Sequence, residues 1–132
     1  LFDWAMNNLH EEATRRIVFE KGSQSHTGSI NRRPPNMETV RLGRQALKDT
    51  LPGLGTLAET RGFLAGRDVT LADLAVAAHL SALDYFGEVP WTEHLALTEW
   101  YTRMKSRPSF RPLLSDRVPG QPPVSHYAEL DF

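Results

Sequence analysis

The sequence contains no cysteine. That absence excludes disulfides, thiolate-held metals and cysteine nucleophiles, and it suits a reducing cytoplasm. No apolar run approaches the roughly 20 residues of a membrane-spanning helix, which argues against membrane insertion. Neither sign of charge dominates: 15 Lys and Arg face 16 Asp and Glu, a formal net charge of −1. Such a chain sets up no global field to draw in nucleic acid or an anionic membrane surface. No segment alternates polar and apolar residues over the length of a strand, and there is no internal repeat. The opening Leu1-Phe2-Asp3-Trp4 has neither a start methionine nor the basic and apolar regions of a signal peptide. The expectation is therefore a chain that begins partway through a longer protein.

What is present reads as one domain. The 132 residues are 40% hydrophobic and 23% charged, as in soluble globular chains. Phe2, Ala5, Met6, Leu9, Ala13 and Ile17 recur at intervals of three and four, which predicts a helix over residues 2 to about 20 with one apolar stripe. Gly22 ends it, and 23–36 reads as a polar loop closing on Arg32-Arg33-Pro34-Pro35. A second helix starts near Met37, and Val40, Leu47, Leu51, Leu54 and Ala58 carry its stripe as far as Leu64. The stripe stays in phase across Pro52, so one kinked helix is expected rather than two.

The third helix has the clearest start. Thr70 stands at the N-cap with Asp73 three residues later, and Val69 and Leu74 flank this capping box as a hydrophobic staple. Only Asp73, His79, Ser81 and Asp84 interrupt the apolar residues from 71 to 86, so this helix is expected at the centre of the core. Gly87 and Pro90 close it. Thr92 or a neighbour opens a fourth helix whose Leu95, Leu97, Trp100, Tyr101 and Met104 form a broad apolar face, ended by Arg107 before Pro108. The fold class is all-α. Residues 1–115 form the helical domain, and 116–132 a proline-rich spacer with an extended tail.

Candidate chemistry is sparse. His79 lacks a ligand or catalytic partner at helical spacing, since positions 75 and 83 are alanine and leucine, and reads as a hydrogen-bonded core histidine. In His10-Glu11-Glu12 adjacent residues point different ways, so no metal site follows. Thr70 and Asp73 serve folding, at about 1 kcal/mol for the cap. Arg32 and Arg33 suit a phosphate or an acidic partner, but a solvated loop pair is the plainer reading. The sequence yields no catalytic residue and no metal ligand. In the tail, His126, Tyr127, Leu130 and Phe132 follow a spacer that keeps them extended. Two uses stay open for them: packing back over the helices, or anchoring in a partner's groove.

Phe63-Leu64-Ala65-Gly66-Arg67-Asp68-Val69-Thr70-Leu71-Ala72-Asp73 resembles the signature of the glutathione-transferase C-terminal domain, where a helix ends, a short turn follows and a capped helix enters the core. Trp100-Tyr101-Thr102-Arg103-Met104-Lys105-Ser106-Arg107-Pro108-Ser109-Phe110 is similar to that domain's closing helix. The resemblance implies a helical bundle around a buried central helix. It also implies a separate thioredoxin-like N-terminal domain, absent from this chain, that activates glutathione as co-substrate through a Tyr, Ser or Cys. The helical domain would then hold no cofactor and be inactive by itself. It would contribute the wall for an apolar acceptor, with Met6 and His10 at the edge of the first stripe, and contacts for a homodimer. The plainer reading makes Met6 core filler and His10 a partly exposed polar residue.

A narrower resemblance lies in Asp84-Tyr85-Phe86-Gly87-Glu88-Val89-Pro90-Trp91, Arg117-Val118-Pro119-Gly120-Gln121-Pro122-Pro123 and the residues from Ser125 onward. These are similar to a bacterial transferase-like group that includes a division protein binding filaments of tubulin-like FtsZ. That resemblance implies the alternative of a non-enzymatic interaction domain binding an FtsZ-type filament through Tyr127, Glu129, Leu130, Asp131 and Phe132.

Overall fold

The structure, a computed structural model, describes residues 1–23 and 34–130. Arg32, Arg33, Asp131 and Phe132 lie outside the described residues. Four helices carry the fold. The first, α1, opens over Phe2–Trp4 in α form and continues over Ala5–Ser23 as a π-helix. Its buried row is Ala5, Leu9, Ala13 and Ile17, a strict spacing of four that suits a helix wider than the 3.6 residues per turn of the α form. A second row of the same spacing, Phe2, Met6, His10, Thr14 and Val18, runs beside it. Phe2 and Met6, expected on the buried stripe, are thereby exposed by 43% and 50%.

Helix α2 spans Met37–Arg61 without a break at Pro52. Asn36 caps it, its side-chain oxygen accepting from the Glu38 and Thr39 amides at 3.1 and 3.3 Å. Val40, Gly43, Leu47, Leu51, Leu54 and Ala58 are buried along one side. Gly43 is where α1 and α2 approach most closely, since a Cβ there would stand 2.8 Å from Ile17 Cγ1. The helix stops at Arg61, short of the expected Leu64, because Gly62 takes φ 89° and donates to the Ala58 carbonyl.

Helix α3, Leu71–Tyr85, begins at the expected capping box, with the Thr70 amide 2.9 Å from Asp73 Oδ2. Asp73 does more than cap: its Oδ1 accepts from the Leu64 amide at 2.8 Å and from Trp100 Nε1 at 2.9 Å. One buried carboxylate thus ties the end of α2 to α3 and α4. Val76, Ala77, Leu80 and Leu83 are fully buried, which makes α3 the central helix. Helix α4, Leu95–Lys105, starts later than Thr92, because Trp91–Glu93 forms a separate 3-10 turn. Leu97, Trp100, Tyr101 and Met104 are buried, but Leu95 is 72% exposed, against expectation. Leu95 lines an open hollow shared with Pro52, Gly55 and Thr56 of α2. A further 3-10 turn covers Arg111–Ser115. Among the described residues no strand forms beyond an isolated antiparallel bridge between Val118 and Gln121.

The segment after residue 115 is not separate from the helices. Tyr85 Oη donates to the Gln121 carbonyl at 2.6 Å and accepts from the Val118 amide at 2.9 Å. The Val124 amide bonds the Tyr85 carbonyl at 3.1 Å. Prolines keep the segment extended, as the sequence indicates, but an extended strap still satisfies its backbone groups by lying along a helix end.

Candidate functional site

The exposed side of α1 and α3 is the first candidate. Thr14 Oγ1 lies 3.0 Å from His79 Nδ1 and Lys21 Nζ lies 3.5 Å from the Phe86 carbonyl, both at a separation of 65 residues, so the two helices run parallel. Along α1, in the row of His10 or beside it, Phe2, Met6 and Phe19 are exposed. In its middle the His10 and His79 rings meet edge-on, with centroids 5.7 Å apart. A hollow of about 290 Å³ beside them is lined by His10, Thr14, Arg15, Val18 and Phe19.

Burial lowers the His79 pKa below the ordinary histidine value, and the neighbouring His10 lowers it further. His79 therefore sits neutral near pH 7 and presents a hydrogen-bonding imidazole rather than a cation. The lining of the hollow has no carboxylate; its polar groups are His10, Thr14 and Arg15, set against the apolar Val18 and Phe19. Its far end is fixed by Glu88, whose carboxylate takes Lys21 at 2.5 Å and both Arg44 nitrogens at 2.7 and 2.8 Å. Burial pushes the Glu88 carboxyl up, yet Arg44 and Lys21 outweigh it and hold the net pKa below the usual range. This clamp joins α1, α2 and the turn after α3.

The second candidate lies where the strap crosses α3. Tyr127 is 3% exposed. Its hydroxyl lies 2.9 Å from Ser81 Oγ, and its ring packs edge-on against Tyr85 with centroids 5.1 Å apart. Burial raises the Tyr127 pKa, so the phenol stays protonated. Next to it His126 Nε2 lies 2.9 Å from Asp84 Oδ1, which also accepts from Trp91 Nε1 at 2.8 Å. Lys105, fully buried in side-chain surface, reaches the His126 carbonyl at 3.5 Å. Burial lowers the Lys105 pKa, while Asp84 and Glu129 oppose that shift. Between α1, α3 and the strap a cavity of about 200 Å³ is lined by apolar groups, among them Val18, Ala82, Leu113 and Val118, and by the polar residues Ser81, Tyr85, Asp116, Arg117 and Tyr127.

These placements divide the residues singled out in the sequence. Met6 is exposed on the α1–α3 side and His10 is half-buried at its centre. Tyr127 is turned into the domain's own core, because its ring finds Tyr85 and its hydroxyl finds Ser81. In this docked arrangement it offers nothing to a partner. Glu129 is exposed and Leu130 is half-buried against the core. Ser81 and Asp84 were noted only as interruptions of an apolar helix. Their polar character inside that helix was the available signal for a seat. Among the described residues no group of three or more His, Asp or Glu side chains is placed to hold a metal ion, and no helix is long and apolar enough to cross a membrane.

The comparisons with known proteins agree with this architecture. The family model of the glutathione S-transferase C-terminal domain matches residues 36–108. FtsZ-localized protein A of Caulobacter vibrioides is 44% identical over 133 residues, covering 99% of this chain and 53% of that protein. A crystal structure of glutathione S-transferase from Sinorhizobium meliloti superposes with a TM-score of 0.93 at 41% identity, over 99% of this chain and 57% of that one. The structure of FzlA from C. crescentus gives 0.91 at 42% identity, with 99% and 57% covered. The chain thus spans a little over half the length of these relatives. With the capped central helix, the Phe63-to-Asp73 turn and the closing helix all in place, this chain belongs to the glutathione S-transferase family and has the fold of its C-terminal domain.

Proposed function

We propose that the chain is the helical half of a two-domain transferase-like protein. Its α1–α3 side receives a thioredoxin-like domain and completes a site for an apolar acceptor. The observation that carries this reading is the exposure of Phe2, Met6 and Phe19 on α1 around the half-buried His10 and His79. Exposed apolar side chains gathered on one side mark a surface for another domain or a ligand. Glutathione is held and activated by the other domain, while Met6 and His10 lie where an acceptor held close to the thiolate would rest. The protein is cytoplasmic and forms a homodimer through α1 and α2 against a partner's N-terminal domain. Calorimetry tests the division of labour. The 132-residue chain should show no saturable glutathione binding, the intact protein should bind it, and Met6→Ser in the intact protein should raise KM for an aromatic electrophile more than it lowers kcat. Glutathione binding by the chain alone would overturn the reading.

A second reading makes the intact protein a non-catalytic division component that binds an FtsZ-type filament. It is favoured by the 44% identity to a protein named for its localisation with FtsZ, over an alignment that covers 99% of this chain. Glu129, Leu130, Asp131 and Phe132 are its contact residues, with Tyr127 joining them when released. Co-sedimentation of the intact protein with FtsZ polymers separates the readings. Pelleting without conjugating activity supports the second, and activity without pelleting supports the first.

A further inference from the structure

The seat that α3 provides for the strap has two properties at once. It is chemically specific: Ser81 meets the Tyr127 hydroxyl, Asp84 meets His126, and the Tyr85 hydroxyl and carbonyl take the Val118, Gln121 and Val124 backbone. It is also loosely filled. The cavity of about 200 Å³ lies against Tyr127, so part of the ring's perimeter lacks the dispersion contacts of a packed core. Asp84 is fully buried, yet among the described residues its Oδ2 has no hydrogen-bond partner. A buried carboxylate oxygen left in that state opposes docking. Specific polar contacts over incomplete packing describe a contact made to reform after opening.

We infer that the strap is a latch with two positions: docked on Ser81 and Asp84 it hides Tyr127, and released it offers the run from His126 to Leu130 to a protein partner. The partner is a basic, apolar groove, because the released run carries Glu129 beside Tyr127 and Leu130. The seat on α3 and the partner therefore compete for the same tyrosine. This inference deepens the filament reading above and rests on it for the identity of the partner. The strap carries its own hinge: Gly120 takes φ 74° at the Val118–Gln121 turn, and Pro119, Pro122 and Pro123 keep the released strap extended, which limits the entropy it gains. Charged and titratable groups surround the seat from every side. Asp84 comes from α3, Lys105 and Tyr101 from α4, and Asp116, Arg117, His126 and Glu129 from the strap, so a single neutral change in the seat leaves the charge balance intact.

Ser81→Ala is that change. It removes the docking hydroxyl from the seat and leaves the strap sequence untouched. In the intact protein, hydrogen exchange at the Val124 and Tyr127 amides reads the latch, and co-sedimentation with FtsZ polymers reads the partner. The expected result is faster exchange at both amides together with an apparent affinity for polymer raised about three- to tenfold, the loss of one buried hydrogen bond. Asp84→Asn, which weakens the His126 contact instead, should act in the same direction. Faster exchange with unchanged or weaker sedimentation overturns the gating, because the hidden tyrosine is then not what the partner needs. Unchanged exchange in both variants overturns the latch itself. If neither the unaltered protein nor the variants sediment while exchange still rises, the filament reading has failed and the gating falls with it, whereas the latch stands on its exchange.

Discussion

Removing the Asp73 carboxylate should cost far more than the loss of a helix cap. A cap of this kind is worth about 1 kcal/mol. Asp73 is fully buried and accepts from four donors: the Leu64 amide at 2.8 Å, the Thr70 amide at 2.9 Å, the Thr70 hydroxyl at 3.2 Å and Trp100 Nε1 at 2.9 Å. In Asp73→Ala the Leu64 amide and the Trp100 indole stay buried with no acceptor. Each such donor costs about 1–3 kcal/mol. With the cap added, the expected loss is about 3–7 kcal/mol, a large part of the roughly 5–15 kcal/mol that holds a domain folded. Urea unfolding of the 132-residue chain, followed by tryptophan emission and far-ultraviolet circular dichroism, measures it. At an m-value of about 1.5–2 kcal/mol per molar, the midpoint should fall by about 1.5–4.5 M. Asp73→Asn keeps one acceptor oxygen but turns an amide toward the other donors, so its midpoint should lie between the two. A loss near 1 kcal/mol for Asp73→Ala would refute the reasoning, because the carboxylate would then act only as a cap.

Four further outcomes follow from the structure. Tyr127→Ala should destabilise the domain by about 3–4 kcal/mol, since it empties a buried ring site beside an existing cavity, and thermal unfolding measures it. Truncation before Ser125 should do at least as much, since it removes Tyr127 together with the His126–Asp84 contact. Acidification should weaken the fold through His79: its native pKa lies below the ordinary value of about 6.5, so the unfolded chain takes up the proton first as pH falls. Stability is therefore kept in full above about pH 6.5 and declines as pH falls from there toward the native value, and His79→Gln should flatten the slope of Tm between pH 7.5 and 5.5. Gly87→Ala should cost about 1–3 kcal/mol and loosen the strap, because Gly87 has φ 74° and a Cβ there would stand 2.7 Å from Val124 Cγ1. Increased exchange at the Val124 amide would register the loosening.

The elements that could be read from the sequence are those whose cause is local. The capping box of Thr70 and Asp73 involves neighbours three residues apart, and it starts α3 at the expected position. The buried row of α2 follows from the spacing of Val40, Leu47, Leu51, Leu54 and Ala58, and Pro52 does not break it. The family resemblance rests on the same local signals, the Phe63-to-Asp73 turn and the closing helix. The end of α2 was missed by three residues because Gly62 could either continue a helix or turn left-handed, and only the tight turn from Phe63 to Gly66 makes the second choice.

The candidate sites depended on what lies across the fold. Periodicity put Met6 and Phe2 on an apolar stripe, yet a row of four-spaced residues has two flanks, and α2 covers only one of them. Leu95 was grouped with Leu97 and Trp100 by chemistry, but the packed side of α4 excludes it. Tyr127 looked like an anchor for a partner because nothing local buries it. Its hydroxyl partner Ser81 is 46 residues away in sequence and the His126 partner Asp84 is 42, distances over which no spacing rule operates. Sequence by itself determined which side chains need burial and where helices can start, because those depend on intrinsic hydrophobicity and on backbone groups a few residues apart. Which surface meets each side chain was decided only by the tertiary structure, since a hydrogen bond or a packed ring needs two partners at once and the second is supplied by the fold.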